Sequence, residues 1–228
     1  MSFDVDAVVL DLDGTLVDSV PDLALAIGVA MRDLSLPVPS QEAVRQWVGN
    51  GAPVLLKRAL TGKMDGEPEA SLFHRAVFSF RRHYAANVCV SSRLYPGVGE
   101  GLATLRAGGM PLGCVTNKPH EFTVALLEKI GLEDFFRVVV GGDRVARMKP
   151  APDALLLAAD ALGVVPERML MIGDSVNDVE AARNAGCPVI CVPYGYNHGH
   201  NIAEARPDAI VQSLADVSAL LNRPNREA

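Results

Sequence analysis

From about residue 96 onward, short apolar runs alternate with stretches of helical spacing, and this alternation constrains the fold more than any other feature of the chain. The spacing predicts helices over 99–107, 119–130, 152–162, 177–185 and 214–221, interleaved with strands over 111–115, 138–140, 169–172, 189–192 and 209–211. Strand and helix repeated in this order signal a parallel sheet covered by helices on both faces. One more run, Ala7-Val8-Val9-Leu10, is short, β-branched and unbroken, as suits a strand buried in such a sheet. The expected fold class is therefore α/β, a doubly wound parallel sheet of Rossmann-like form.

The stretch between that first strand and the alternating region behaves differently. Leu23, Ile27, Met31 and Leu34, then Leu72, Phe73, Ala76, Val77, Phe80 and Tyr84, recur at helical intervals. This predicts an all-helical cap over 18–94 inserted into an α/β core made of 1–17 and 95–228, with hinges at 17–19 and 94–97. A module inserted directly after the first strand hangs over the carboxyl edge of the sheet, where a lid belongs. The tail, 222–228, is polar and is expected to fray.

Asp11 would end the first strand, and in open α/β sheets ligands bind at that end. Asp-Gly is also a common turn signal, so Asp11 and Asp13 alone leave a site and a plain turn both open. The other strand ends decide between them. Thr116-Asn117, Lys149-Pro150 and Gly173-Asp174-Ser175-Val176-Asn177-Asp178 follow successive strands, and parallel topology brings all four loops to one crevice.

Charge then indicates chemistry. Each pair of carboxylates 4 Å apart costs about 4 kcal/mol at an effective dielectric near 20, more than one lysine can offset. A hard divalent cation can. Oxygen donors with positions left for water and substrate suit magnesium better than zinc, and magnesium commonly bridges to phosphate, so a phosphate ester is the expected substrate.

The composition narrows the remaining classes. A net charge of −6 and 5% aromatic residues argue against nucleic acid as a partner. No apolar run is long enough for a membrane span, and the acidic first residues lack the pattern of a secretory signal. Cys89, Cys114, Cys187 and Cys191 lack metal or redox spacing and read as buried free thiols, so a cytoplasmic location is expected. Nothing in the sequence speaks to oligomeric state.

Asp11-Leu12-Asp13-Gly14-Thr15, Thr116-Asn117, Lys149 and Gly173-Asp174 with Asp178 together resemble the four motifs of the haloacid dehalogenase-like phosphatases. The resemblance implies Asp11 as the nucleophile that forms an aspartyl-phosphate, and Asp13 as the acid that protonates the leaving oxygen and then activates water. It implies Mg²⁺ held by the side chains of Asp11 and Asp174 and the backbone carbonyl of Asp13. Thr116, Asn117 and Lys149 would bind phosphate. Ser175 and Asp178 would support the site, Asp178 by orienting either the lysine or a water on the metal.

Further stretches, among them Val48-Gly49-Asn50-Gly51-Ala52, Val115-Thr116-Asn117-Lys118-Pro119 and Tyr194-Gly195-Tyr196-Asn197-His198-Gly199, resemble a capped branch of that family that hydrolyses 2-phosphoglycolate. The resemblance implies a small phosphorylated organic acid as substrate. The same architecture also serves sugar phosphates, amino-sugar phosphates, pyrophosphate and phosphomutase chemistry. Selectivity for so small an acid would come from the cap, with Gly49, Asn50 and Gly51 offering backbone amides and Arg58 pairing with a carboxylate. Those glycines also fit a simple turn, and Arg58 a solvent-facing helix position. Trp47 reads as packing, and His198 and His200 as an exposed loop.

Overall fold

The computed structural model describes residues 2–222. Its main sheet has six parallel strands: β1 (Ala7–Leu10), β4 (Leu112–Val115), β5 (Val138–Val140), β6 (Met169–Gly173), β7 (Val189–Cys191) and β8 (Ala209–Ile210). They lie in the order β5-β4-β1-β6-β7-β8. The missing numbers belong to β2 (Val17–Asp18) and β3 (Arg93–Leu94), an antiparallel pair outside that sheet.

β1 is central because all four of its side chains are fully buried, which only an interior strand allows. Its residues divide by the strand period of two. Val8 and Leu10 join one apolar cluster, Ala7 and Val9 the other, so each face of the sheet has its own core. Leu10 pairs with Cys114 of β4 and with Ile172 of β6. The residues that follow, from Asp11, Thr116 and Asp174, therefore leave the sheet side by side at the point where the strand order reverses.

Helices α5 (Val98–Ala107), α6 (His120–Ile130), α7 (Asp153–Leu162) and α8 (Val176–Ala185) connect the strands of the core. Between β2 and β3 lie α1 (Val20–Asp33), α2 (Gln41–Trp47), α3 (Gly51–Thr61) and α4 (Ala70–Ala86). The apolar stripe read from the sequence is what these helices bury. Leu23, Ile27 and Met31 of α1 and Ala76, Phe80 and Tyr84 of α4 all enter one cluster.

Three local features depart from the sequence reading. The two chain crossings at 17–18 and 93–94 pair as a β-ribbon, joined by backbone bonds that a two-residue strand cannot advertise in its pattern. The expected last helix is a 3-10 helix over Leu214–Leu220, capped by Ser213 and Asp216. It lies so close to α5 that a Cβ on Gly101 would meet the Leu214 carbonyl carbon at 2.7 Å. Asn222 is not loose: its N–H donates to the Phe3 carbonyl at 2.8 Å. Residues 223–228 of the expected frayed tail lie outside the described residues.

Candidate active site

Asp11 continues the ladder of β1, its N–H donating to Ile172 O at 2.9 Å. The chain then folds into a tight turn in which Leu16 and Val17 both donate to Leu12 O at 3.0 Å, and this turn carries Asp13. Gly14 has φ +95°, and a Cβ there would lie 2.3 Å from Asp174 Oδ2; only glycine lets the turn pass over that carboxylate. Gly195 approaches from the other side, where a Cβ would stand 2.2 Å from the same oxygen. Asp174 is thus enclosed by backbone. Thr15 Oγ1 donates to its Oδ1 at 2.7 Å and the Tyr196 N–H to its Oδ2 at 2.6 Å.

Lys149 is buried among acids. Its Nζ lies 2.7 Å from Asp178 Oδ1, 3.0 Å from Asp11 Oδ1 and 2.9 Å from the Val115 carbonyl. Burial works against its charge, but Asp11 and Asp178 outweigh it and hold the ammonium above its usual range. Asp178 has its second oxygen occupied by the N–H groups of Asp174 and Ser175 and by the Ser175 hydroxyl at the start of α8. It is N3 of a capping box whose N-cap is Ser175. Of the two roles open to Asp178, the geometry is that of a residue orienting the lysine.

One carboxylate oxygen from each of Asp11, Asp174 and Asp178 lies within 4.8 Å of the other two. Burial, opposed by Lys149 and reinforced by Asp178, pushes the Asp11 carboxyl up to about 6. Burial with repulsion from Asp178 and Asp11 raises Asp174 well above the carboxylate range. Such a donor set fits a hard cation, which would remove the repulsion. Asp178 is spent on Lys149 and on the helix, whereas the carboxylate oxygens of Asp11 and Asp174 keep lone pairs that could hold a cation.

Asp13 faces the same pocket as Asp11. Ser19 Oγ donates to its Oδ1 at 2.5 Å, and Lys118 Nζ lies 3.0 and 3.2 Å from its two oxygens. Thr116 and Asn117 also line this pocket. The Asn117 side chain ties the loops together, accepting from Lys149 N and donating to the carbonyls of Lys149 and Gly49, each at 2.9 Å.

The cap residues divide. Gly49 and Gly51 line the pocket, with Gly49 O held by Asn117 and by Asn177 Nδ2 at 3.3 Å. Asn50 points its amide at Asn177 Oδ1, 3.5 Å away, and is not part of the pocket wall. Arg58 is a correction. It is 6% exposed, and its guanidinium donates to Trp47 O at 2.7 Å and Met64 O at 3.0 Å, closing the ends of α2 and α3 instead of facing a ligand. An arginine on a helix can look outward or reach back for orphan carbonyls, and spacing alone does not distinguish these. His198 also differs, being half-buried with Nδ1 2.8 Å from Gln46 O; His200 is exposed. Trp47 packs against the core.

Sequence reasoning assigned no role to Lys118, Tyr84 or Tyr196. Lys118 sits directly after Thr116-Asn117, and that adjacency was the available signal. Tyr84 was legible only as part of an apolar stripe.

An α/β sheet that gathers acids from separate strand ends around one lysine, beneath helices inserted after the first strand, is the framework of a carboxylate-based hydrolase. Residues 5–186 match the family model for haloacid dehalogenase-like hydrolases, and the chain belongs to that family. It is 47% identical to the phosphoglycolate phosphatase of Thiobacillus denitrificans, over 96% of each chain. To the phosphoglycolate phosphatase of Escherichia coli K12 it is 43% identical, over 98% of this chain and 95% of that one. A crystal structure from Haemophilus somnus 129pt, described as a predicted phosphoglycolate phosphatase, superposes with a TM-score of 0.89 at 39% identity, covering 95% and 97% of the two chains.

Proposed function

We propose that the protein is a magnesium-dependent phosphomonoesterase that hydrolyses 2-phosphoglycolate to glycolate and phosphate through an aspartyl-phosphate. The observation that carries this reading is that Asp11 and Asp13 face one pocket with different partners. Asp11 stands in the acid cluster beside Lys149, while Asp13 is held apart by Ser19 and Lys118.

Asp11 attacks phosphorus as the ester oxygen leaves, and Asp13 gives that oxygen its proton. Asp13 then takes a proton from the water that attacks the aspartyl-phosphate, which releases phosphate and restores Asp11. Lys149, Thr116 and the Asn117 backbone hold the phosphoryl oxygens while charge moves across them. Asp11, Asp174 and the Asp13 carbonyl would hold magnesium, which would supply charge neutralisation at the phosphoryl group. Thr15, Tyr196, Ser175 and Asp178 keep these ligands and Lys149 in place. The helices over 18–94 act as a lid that excludes bulk water, and the paired crossings β2 and β3 bound it.

The names of the relatives speak for the two-carbon acid as substrate. So does a pocket whose cap wall, with Leu23, Val48, Leu55 and Phe80, has little to offer the hydroxyls of a sugar. The four free cysteines fit a reducing cytoplasmic compartment. No helix among the described residues is long and apolar enough to cross a membrane. A panel of phosphate esters assayed with magnesium for free phosphate tests the proposal. Phosphoglycolate leads in kcat/KM if it holds; a sugar phosphate in the lead, or isomerisation without phosphate release, overturns it.

A further inference from the structure

Lys118 is a second buried lysine near Asp11 and Asp13, and it lines their pocket. Its side chain is 3% exposed. Its three N–H donors meet the Asp13 carboxylate, at 3.0 and 3.2 Å, and the ring face of Tyr84, 4.8 Å from the centroid. The Tyr84 hydroxyl oxygen lies within its reach as well. Asp13 is itself shared with the Ser19 hydroxyl. An ammonium taken out of water and given part of one carboxylate is under-satisfied, and a lysine in that condition is a receptor for another anion.

Tyr84 supplies an independent observation. It arrives from α4, 1% exposed, stacked on Phe80 and edge-on to Phe122, so its ring is fixed. Its hydroxyl is buried beside the Lys118 ammonium, and no acceptor takes its proton. It lines the same pocket as Asp11, Asp13 and Lys118. A buried phenol whose proton has no acceptor, beside a buried ammonium on an otherwise apolar cap wall, is a donor pair with capacity left for an anion.

We propose that Lys118 and Tyr84 form the subsite that reads the carboxylate of the leaving group, so that selection for a short acidic ester lies where α4 meets the loop after β4. This rests on the hydrolysis of phosphoglycolate proposed above and adds the residues that recognise it. Connectivity in the substrate supports the placement. In phosphoglycolate one methylene separates the ester oxygen from the carboxyl carbon, so the group that protonates the ester oxygen must adjoin the group that holds the carboxylate. Asp13 and Lys118 adjoin at 3.0 Å. The ammonium gives one charge-assisted bond, the phenol a second, and the apolar wall rejects esters whose far end needs several polar partners.

The test compares 2-phosphoglycolate with 2-hydroxyethyl phosphate, which has the same length and an uncharged end. The parent enzyme favours the acid. Lys118→Met lowers kcat/KM for phosphoglycolate about 10- to 100-fold more than for hydroxyethyl phosphate. Tyr84→Phe, which removes a hydroxyl whose proton has no acceptor in the free protein, lowers the same ratio about 3- to 10-fold. If the parent prefers phosphoglycolate but both variants scale the two substrates down equally, Lys118 serves only to hold Asp13 and the subsite is wrong. If the parent itself does not distinguish the two esters, the proposed substrate fails, and the subsite with it.

Discussion

The Thr15 hydroxyl donates a 2.7 Å hydrogen bond to Asp174 Oδ1, joining two residues 159 positions apart in the chain. Both are fully buried. Thr15 belongs to the turn that carries Asp13, and Asp174 to the end of β6, so one bond locks the acid-bearing turn to a proposed metal ligand. Thr15→Val keeps the side-chain shape and removes the donor. It should weaken magnesium binding about 10- to 100-fold, as loss of a partner that orients a ligand does elsewhere. Calorimetric titration with Mg²⁺ reads this directly, and an unchanged affinity would remove Thr15 from the metal site.

Asp11 should prove costly to the fold in the absence of metal. Its carboxyl is pushed from 3.8 up to about 6 by burial, so the folded protein keeps a proton there that the unfolded chain has already released. Stability of the metal-free protein therefore falls as pH rises across that interval. Asp11→Asn takes the charge away and should stabilise the metal-free protein near neutrality by on the order of 1–3 kcal/mol while turnover drops to background. Thermal melts in chelator together with phosphate release check both halves. Substantial residual turnover would rule out the aspartyl-phosphate.

Arg58 should behave as a structural residue. It closes the carbonyls of Trp47 and Met64, and Arg58→Ala leaves that of half-buried Trp47 without its charged donor. The expected cost is about 1–3 kcal/mol in urea unfolding, with KM for phosphoglycolate changed less than about 3-fold. A large rise in KM at unchanged stability would return Arg58 to the substrate pocket.

Asp22, 2% exposed in α1, accepts from the backbone N–H groups of Val90, Ser91 and Ser92 and from the Ser92 hydroxyl, and so anchors the segment that leads into β3. Burial alone would raise its carboxyl; the bonds from Ser92, Ser91 and Val90 outweigh it and lower it below 3.8. A depressed acid stabilises the fold above its unfolded value and ceases to do so as pH falls through its folded one. Asp22→Ala should therefore lose about 1–3 kcal/mol near neutral pH, and the gap to the parent should narrow as pH falls below 3.8. A gap that is constant with pH would mean that the carboxylate charge contributes nothing.

Much of the core was legible because its signals are local. Six strands and the helices between them announce themselves in runs of a few residues. Parallel order then forces Asp11, Thr116, Lys149 and Asp174 to one edge, since every strand in such a sheet ends on the same side. The ribbon of Val17 and Asp18 with Leu94 and Arg93 was not legible. Two-residue strands have no period, and they exist only because both ends of the insert must cross at one place.

The sequence by itself determined the α/β core, the insertion point of the helices, the acids at the strand ends and the family. These follow from periodicity and topology, which nearest neighbours in the chain encode. Tertiary structure alone decided which polar side chains meet. It turned Arg58 back onto carbonyls, gave Asp178 to Lys149 and to its own helix, and set Lys118 against both Asp13 and Tyr84. Whether a charge faces a ligand, a backbone end or another charge depends on which group, distant in the chain, arrives at hydrogen-bond distance, and the docking of α4 over the loop after β4 is what fixes that here.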